Sequence, residues 1–257
     1  MLSVLMHEDT KRATLRFAHP TGNILTDELV GQLRQALKNL GDLSQLASLR
    51  LLTIEGEGRD FSFGANIPEH APGAIEQSLP LFHSLVMEML AVPVPTAALV
   101  RGRCLGGGFE IALACDFIFA ADDATFALPE IKLGVFAPVA TVLLPKRVGL
   151  APATSALLTG GSRTAAEWKS LGLIELTAPA DGLDHAIDAW FNSTLARHSA
   201  EALRFAVRAL RSGISDAAAR ELPEIERLYL QEVMRSRDAH EGIAAFLEKR
   251  APRWGDR

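Results

Sequence analysis

Arg101-Gly102-Arg103-Cys104-Leu105-Gly106-Gly107-Gly108-Phe109-Glu110, followed after a short interval by Pro129-Glu130, is the stretch on which the reading of this chain turns. The apolar run at 96–100 reads as a buried strand entering the glycines, and 109–114 as a helix leaving them. Glycines at a strand-to-helix turn let the backbone approach a ligand closely and aim free N–H groups at it. One carboxylate follows the turn directly and a second lies a short excursion away. N–H donors that can hold an anion, beside two acid/base groups, make up most of a site for enolate chemistry. Taken alone, the same residues also fit a tight turn with a glutamate favoured by the positive end of a helix. Pro-Glu at an element boundary is likewise common on surfaces.

Working outward, Ala13, Leu15 and Phe17 alternate with Thr14 and Arg16 as in a half-buried strand. Thr26 can cap a helix whose apolar positions Leu29, Leu33, Leu37 and Leu40 keep helical spacing, with Asp27 and Glu28 suiting its first turn. Residues 49–54 read as a strand, 55–66 as a glycine-containing loop, 75–90 as a helix and 117–121 as another strand. Such alternation predicts βαβ units and an α/β core. From about Pro138 helical patterns dominate, at 139–148, 152–158 and 165–171, with one extended piece at 173–176; the tail, 183–250, reads as wholly helical. The organisation expected is a core over 1–195 and a helical region over 196–257, with no internal repeat and no low-complexity tract.

The bulk numbers bound the class. A chain of 257 residues with 48% apolar and 22% charged residues can bury a sizeable core. The net charge of −5 opposes nucleic acid as the main partner. Two cysteines, Cys104 and Cys115, are too few for a disulfide framework, suit a reducing compartment and read as small buried hydrophobes. Neither a basic leader nor an apolar stretch of useful length follows Met1, and no window approaches the ~20 apolar residues a membrane helix needs. The expectation is a cytoplasmic protein without membrane or nucleic-acid partners.

Several standard sites are not indicated. The glycines do not form G-x-G-x-x-G, no Lys-Ser/Thr follows a glycine loop, and no G-x-S-x-G elbow occurs. The histidines show no metal-ligand spacing, so no metal is expected, and His70 and His83 read as surface or packing residues.

A second glycine loop decides between the readings of the first. Gly58-Arg59-Asp60-Phe61-Ser62-Phe63-Gly64-Ala65-Asn66 resembles the first oxyanion-loop segment of the crotonase (enoyl-CoA hydratase/isomerase) superfamily. The glycine turn ending in Glu110, the Pro-Glu-Ile-Lys-Leu-Gly stretch at 129–134 and the closing segment at 241–250 resemble that family's remaining segments, in the family's order. The resemblance implies the crotonase fold: an α/β spiral core of ββα-type units with a C-terminal helical trimerisation region. It implies an acyl-CoA thioester substrate, a homotrimer or dimer of trimers, and no cofactor beyond the coenzyme A of the substrate.

Carried over by residue, the resemblance makes the N–H groups of Ala65 and Gly107 the oxyanion hole for the thioester carbonyl. Glu110 and Glu130 fall on the two catalytic glutamates of the hydratases, both holding the water, with Glu130 giving the proton to the α-carbon. Phe63, Gly64, Asn66, Ile67, Gly106 and Phe136 would border the substrate, with Phe63 and Phe136 lining an apolar acyl pocket. Phe246 and Lys249 would touch the adenine and phosphate end of coenzyme A, often across a subunit interface, although Lys249 also fits a solvated helix residue. The chemistry needs these parts. Water adds to the β-carbon only if negative charge can collect on the thioester oxygen, and losing one oxyanion donor typically costs ~3–4 kcal/mol of barrier. Neighbouring carboxylates in a partly dry pocket share a proton, which keeps one acid and one base available.

The chain also departs from the family pattern. Val135-Phe136-Ala137-Pro138 replaces a glycine-rich run, Asn66 replaces an aspartate, and Phe63 adds bulk. With Glu69-His70 and the segments at 61–65, 101–105 and 133–138, these features resemble the subgroup that hydrates cyclohexa-1,5-diene-1-carbonyl-CoA in anaerobic aromatic degradation. The rivals are a double-bond isomerase, which needs one glutamate where hydration usually uses two, and a non-catalytic acyl-CoA-binding scaffold subunit. RNA binding by a crotonase-like protein lacks a basic stripe here.

Overall fold

The computed structural model describes residues 1–7, 11–42, 48–70 and 73–255, and of residues 40–42 and 70 only the backbone. In chain order the elements are β1 (Leu2–Met6), β2 (Arg12–Phe17), α1 (Asp27–Asp42), β3 (Leu51–Gly56), α2 (Ile75–Ala91), β4 (Thr96–Val100), β5 (Arg103–Leu105) and α3 (Gly107–Leu113). They continue with β6 (Phe117–Ala121), β7 (Thr125–Ala127), α4 (Pro138–Val148), α5 (Leu150–Thr159), β8 (Arg163–Thr164), α6 (Ala165–Ser170) and β9 (Leu176–Ala178). Three helices close the chain: α7 (Leu183–Ser193), α8 (Ala200–Gln231) and α9 (Arg237–Leu247).

The main sheet runs β1-β2-β3-β4-β6-β9, antiparallel at its first pair and parallel thereafter. A smaller sheet, β5-β7-β8, stands beside it. Side chains on a strand alternate between faces, and the central strands bury both. Leu52, Ile54, Ala98, Val100, Ile118 and Ala120 face the principal core, which α1, α2, α3 and α4 help to build. Leu51, Ala97, Leu99 and Phe119 face the opposite side, where Leu183, Ile187 and Phe191 of α7 cover them. Burial on both faces is why these strands read as continuous apolar runs. In α1, Leu29, Leu33 and Leu37 are buried as their spacing predicts, while the side chain of Leu40 lies outside the described residues.

Two expectations shift. The extended piece expected at 173–176 begins three residues later, because the turn at Gly172 (φ 78°) precedes it and Leu176 is the residue that pairs with Phe119. The tail is broken twice, before Ala200 and before Arg237. Serine side chains start the new helices there: Ser199 Oγ accepts from the Ala202 N–H (3.3 Å) and Ser236 Oγ from the Ala239 N–H (3.1 Å). α8 packs across α2 and α4, placing Ala218 and Leu222 in the principal core. Among the described residues no helix is long and apolar enough to cross a membrane.

Candidate active site

Strand β4 is wholly buried, and the chain leaving it through β5 is zipped to the loop at 60–65. The Phe61 N–H donates to Arg101 O (2.8 Å), the Ser62 N–H to Arg103 O (3.1 Å) and the Leu105 N–H to Ser62 O (2.9 Å). Asp60 reinforces the zip from the side. Its Oδ1 accepts from the Arg103 backbone N–H (2.9 Å) and Nε (3.0 Å), and its Oδ2 from the second terminal nitrogen (3.1 Å). The hydrogen-bonded Arg103 guanidinium holds the Asp60 carboxyl below the usual carboxylate range, against the opposing effect of burial. Ser62 Oγ donates to Asn23 O (2.7 Å) and accepts from the Gly64 N–H (3.0 Å), fixing the turn that follows.

That turn needs two glycines. Gly64 has φ 92°, and a Cβ there would lie 2.9 Å from Leu105 O. Gly106 has φ 50°, and a Cβ there would collide with Glu130 Oε1. Both positions are in the region L-residues avoid. The result is that the N–H groups of Ala65 and Gly107 become neighbours: a Cβ on Gly107 would sit 3.6 Å from Ala65 N. Neither N–H has a hydrogen-bond partner among the described residues. Ala65 is bridged to Leu25 on its other edge, and the Gly107 N–H opens α3, where no preceding turn exists to receive it.

Ala65 and Gly107 line a narrow cavity with an empty volume of about 570 Å³, and Glu110, Glu130 and Phe136 line the same cavity. Glu110, one turn into α3, is buried, and its Oε1 accepts from the Ala140 N–H (2.9 Å) at the start of α4. Glu130 stands on the 3-10 turn Pro129–Leu133, with Oε2 sealed and without a partner among the described residues. Burial is the main cause that pushes both carboxyls up, Glu110 to about 7 and Glu130 to about 8. The Ala140 and Val139 N–H groups counteract the rise at Glu110, and the nearby Glu110 charge adds to it at Glu130. The site therefore offers two N–H donors for an anion and two carboxyl groups poised to carry a proton near neutral pH.

The remaining expected residues fall in different places. Gly64 and Gly106 form the backbone behind the N–H pair, as described. Asn66 continues the pairing with Leu25, its N–H donating to Leu25 O (3.2 Å). Ile67 packs on the apolar cluster of Ile75, Leu79, Tyr229 and Ile243. Phe246 and Lys249, at the end of α9, are exposed and are not among the residues lining the cavity.

Phe63 is a correction: it does not share the acyl pocket with Phe136. Its N–H donates to Gly22 O (2.9 Å), its ring fills the space beside Gly22, and the Arg103 guanidinium lies 4.0 Å above the ring. The aromatic partner of Phe136 is Tyr229 of α8, edge-on with ring centroids 5.4 Å apart. Tyr229 was not singled out in the sequence, where its only signal is an apolar triplet, Leu228-Tyr229-Leu230, in a charge-rich helix. Asp27 and Glu69 also line the cavity and were not expected there. Both are engaged: Asp27 Oδ2 accepts from Ser78 Oγ (2.8 Å), and Glu69 Oε2 from the Asp27 N–H (3.2 Å). His83 is a packing residue, buried, with Nδ1 2.7 Å from Glu226 Oε2. The side chain of His70 lies outside the described residues.

The sequence profile of the enoyl-CoA hydratase/isomerase family matches residues 10–257. The chain is 45% identical to a cyclohexa-1,5-dienecarbonyl-CoA hydratase of Thauera aromatica, over 100% of this chain and 97% of that one. It is 34% identical to a 2,3-dehydroadipyl-CoA hydratase of Escherichia coli K12, over 90% of this chain and 88% of the other. The crystal structure of an enoyl-CoA hydratase from Mycobacterium avium subsp. paratuberculosis K-10 superposes with a TM-score of 0.86 at 26% identity, covering 99% of this chain and 98% of that one.

Proposed function

The chain belongs to the enoyl-CoA hydratase/isomerase family and is an enzyme of the hydratase type, and on that premise we propose that it adds water across the α,β-double bond of a cyclic dienoyl-CoA such as cyclohexa-1,5-diene-1-carbonyl-CoA. One observation carries the reading: two unshared N–H groups and two proton-holding carboxyls meet in a single cavity. The thioester oxygen accepts hydrogen bonds from Ala65 and Gly107. Glu110, in its ionised form, takes a proton from water as the water oxygen bonds to the β-carbon. The π electrons move to the thioester oxygen and return as Glu130 gives its proton to the α-carbon. No step in this scheme needs a metal or a redox group.

The acyl assignment draws support from the similarity to the Thauera aromatica hydratase and from the Phe136–Tyr229 pair, which offers a flat, apolar wall. Retention of both carboxyls favours hydration over double-bond migration, which needs one. Assembly as a trimer or dimer of trimers is part of the proposal. Phe205, Leu210, Phe246 and Leu247 expose apolar surface on α8 and α9 that such an interface would cover, and Phe246 and Lys249 would then reach the coenzyme A of a neighbouring subunit.

The test is mass spectrometry of products from crotonyl-CoA and cyclohexa-1,5-diene-1-carbonyl-CoA in parallel. Gain of one water on the cyclic diene, with little on crotonyl-CoA, is the expected result. Equal turnover of both discards the cyclic assignment, and a moved double bond without water discards hydration.

A further inference from the structure

Among the polar side chains lining the cavity, one is neither used by the scheme above nor engaged by a described residue. Tyr229 is almost fully buried, its ring rests edge-on against Phe136, and both side chains line the chamber holding Glu110 and Glu130. Its hydroxyl makes no hydrogen bond to any described residue and is not one of the sealed polar atoms, so it keeps access to the chamber that the side chain lines. A phenol O–H normally finds a partner when the ring is buried, because leaving it unpaired loses a hydrogen bond that water would have supplied. With no protein partner, the group that completes it must arrive with the substrate or the solvent.

The reaction leaves few candidates. The thioester oxygen goes to the Ala65 and Gly107 N–H groups, and the acyl carbons offer no acceptor. Around the reacting carbons, the remaining polar atom is the oxygen that enters as water and leaves as the product's hydroxyl. That water turns both O–H groups toward the carboxyls of Glu110 and Glu130 and one lone pair toward the β-carbon. Its second lone pair is unused, and a phenol O–H is a donor that can fill it.

Resting on the hydration reading, we infer that Tyr229 is a third hydrogen-bonding group of the reaction centre, donating its O–H to the water oxygen and afterwards to the product hydroxyl. No proton leaves Tyr229 in this role. Burial, reinforced by the negative charge of Glu130 and Glu110, keeps the phenol above its ordinary pKa and so in the donor form. The fold supplies the rigidity. Glu226, one helical turn before Tyr229 on α8, is held by buried His83 of α2 at 2.7 Å. This fastens α8 to the helix that forms another wall of the chamber.

Tyr229→Phe keeps the ring and its contact with Phe136 and removes only the O–H. The expected result is a fall in kcat of about 10–100-fold, the effect of one hydrogen bond to a reacting group. KM and Tm should stay near wild type, since neither the acyl contacts nor the packing changes. A kcat within about twofold of wild type overturns the inference. The unmodified protein gives a second reading, because the chain has one tyrosine and isotope-labelled tyrosine therefore gives one ring spin system in NMR. That signal should move further on adding 3-hydroxybutyryl-CoA than on adding butyryl-CoA, which touches the ring but lacks the hydroxyl. Equal shifts with both overturn the inference. If wild-type protein hydrates neither enoyl thioester, the hydration reading itself has failed; if it hydrates and Tyr229→Phe is unaffected, only the role of Tyr229 has.

Discussion

Two largely buried charged clusters, one that includes Glu110 of α3 and one at Asp116 just beyond that helix, are built in opposite ways. Arg211 of α8 meets Asp116, just beyond α3, through Nε to Oδ1 (2.7 Å) and a terminal nitrogen to Oδ2 (2.5 Å). The same guanidinium donates to Leu90 O (3.3 Å) and Val92 O (2.5 Å) at the carbonyl end of α2, to Val94 O (3.0 Å) ahead of β4 and to Thr96 Oγ1 (3.1 Å) at its start. Every charge there has an opposite charge or a hydrogen-bond partner, so the cluster ties three elements together and has nothing left to offer a ligand. Among the described residues Glu110 and Glu130 are the reverse: two like groups without a cation, one of them with an oxygen that has no hydrogen-bond partner. A buried network that is complete holds the fold, and one left incomplete is where a ligand can bind.

Breaking each cluster should therefore produce opposite symptoms. Glu110→Gln and Glu130→Gln should each lower kcat by about 10²–10⁴-fold, the range for a lost general acid or base, while the variants remain folded. Steady-state hydration assays check this, and near-full turnover in both would show that the pair is not the proton machinery. Arg211→Met should do its damage elsewhere. It strands a buried carboxylate and uncaps α2, for an expected loss of about 3–5 kcal/mol in urea unfolding, with kcat per folded molecule close to wild type. A loss below about 1 kcal/mol would mean the network is ornamental.

The finest distinction is in pH. In the unfolded chain both glutamates titrate near the ordinary 4.5, whereas in the folded protein Glu110 is pushed up to about 7 and Glu130 to about 8. Between those values the folded state binds more protons, so stability declines as pH rises through the window. Glu130→Gln removes that liability. Its Tm should equal or slightly trail wild type at about pH 5 and exceed it by a few degrees at about pH 9. A constant offset across the range would refute the shifted pair.

The same contrast explains which parts of the site were legible. Glu110, Glu130 and the glycine turn were marked in the sequence because such turns and the acids beside them are local features, the family resemblance added Ala65 and Gly107, and the structure brings these four residues together in one cavity. Strands β5, β7 and β8, each of two or three residues, carry too little periodicity to read. Phe63 was misplaced because its position next to the oxyanion turn says nothing about which way the ring leaves the backbone. That direction was set by the empty space at Gly22 and by Arg103. Tyr229 was invisible for the complementary reason: it lies far along the chain, in a helix whose pattern records only that one face is buried.

The sequence by itself determined the α/β core and the glycine turns, because strand runs, glycine turns and helix starts are fixed by neighbours in the chain, and its resemblance to a known family added the family and the pair of N–H groups. Only the tertiary structure decided that Phe136 is paired with Tyr229 rather than Phe63, that Asp27 and Glu69 border the cavity already engaged, and that Glu130 Oε2 lacks a partner among the described residues. Those facts depend on which surfaces meet when α8 lies across α2 and α4, and on how much water that contact excludes. Long-range packing sets both, and no local pattern encodes them.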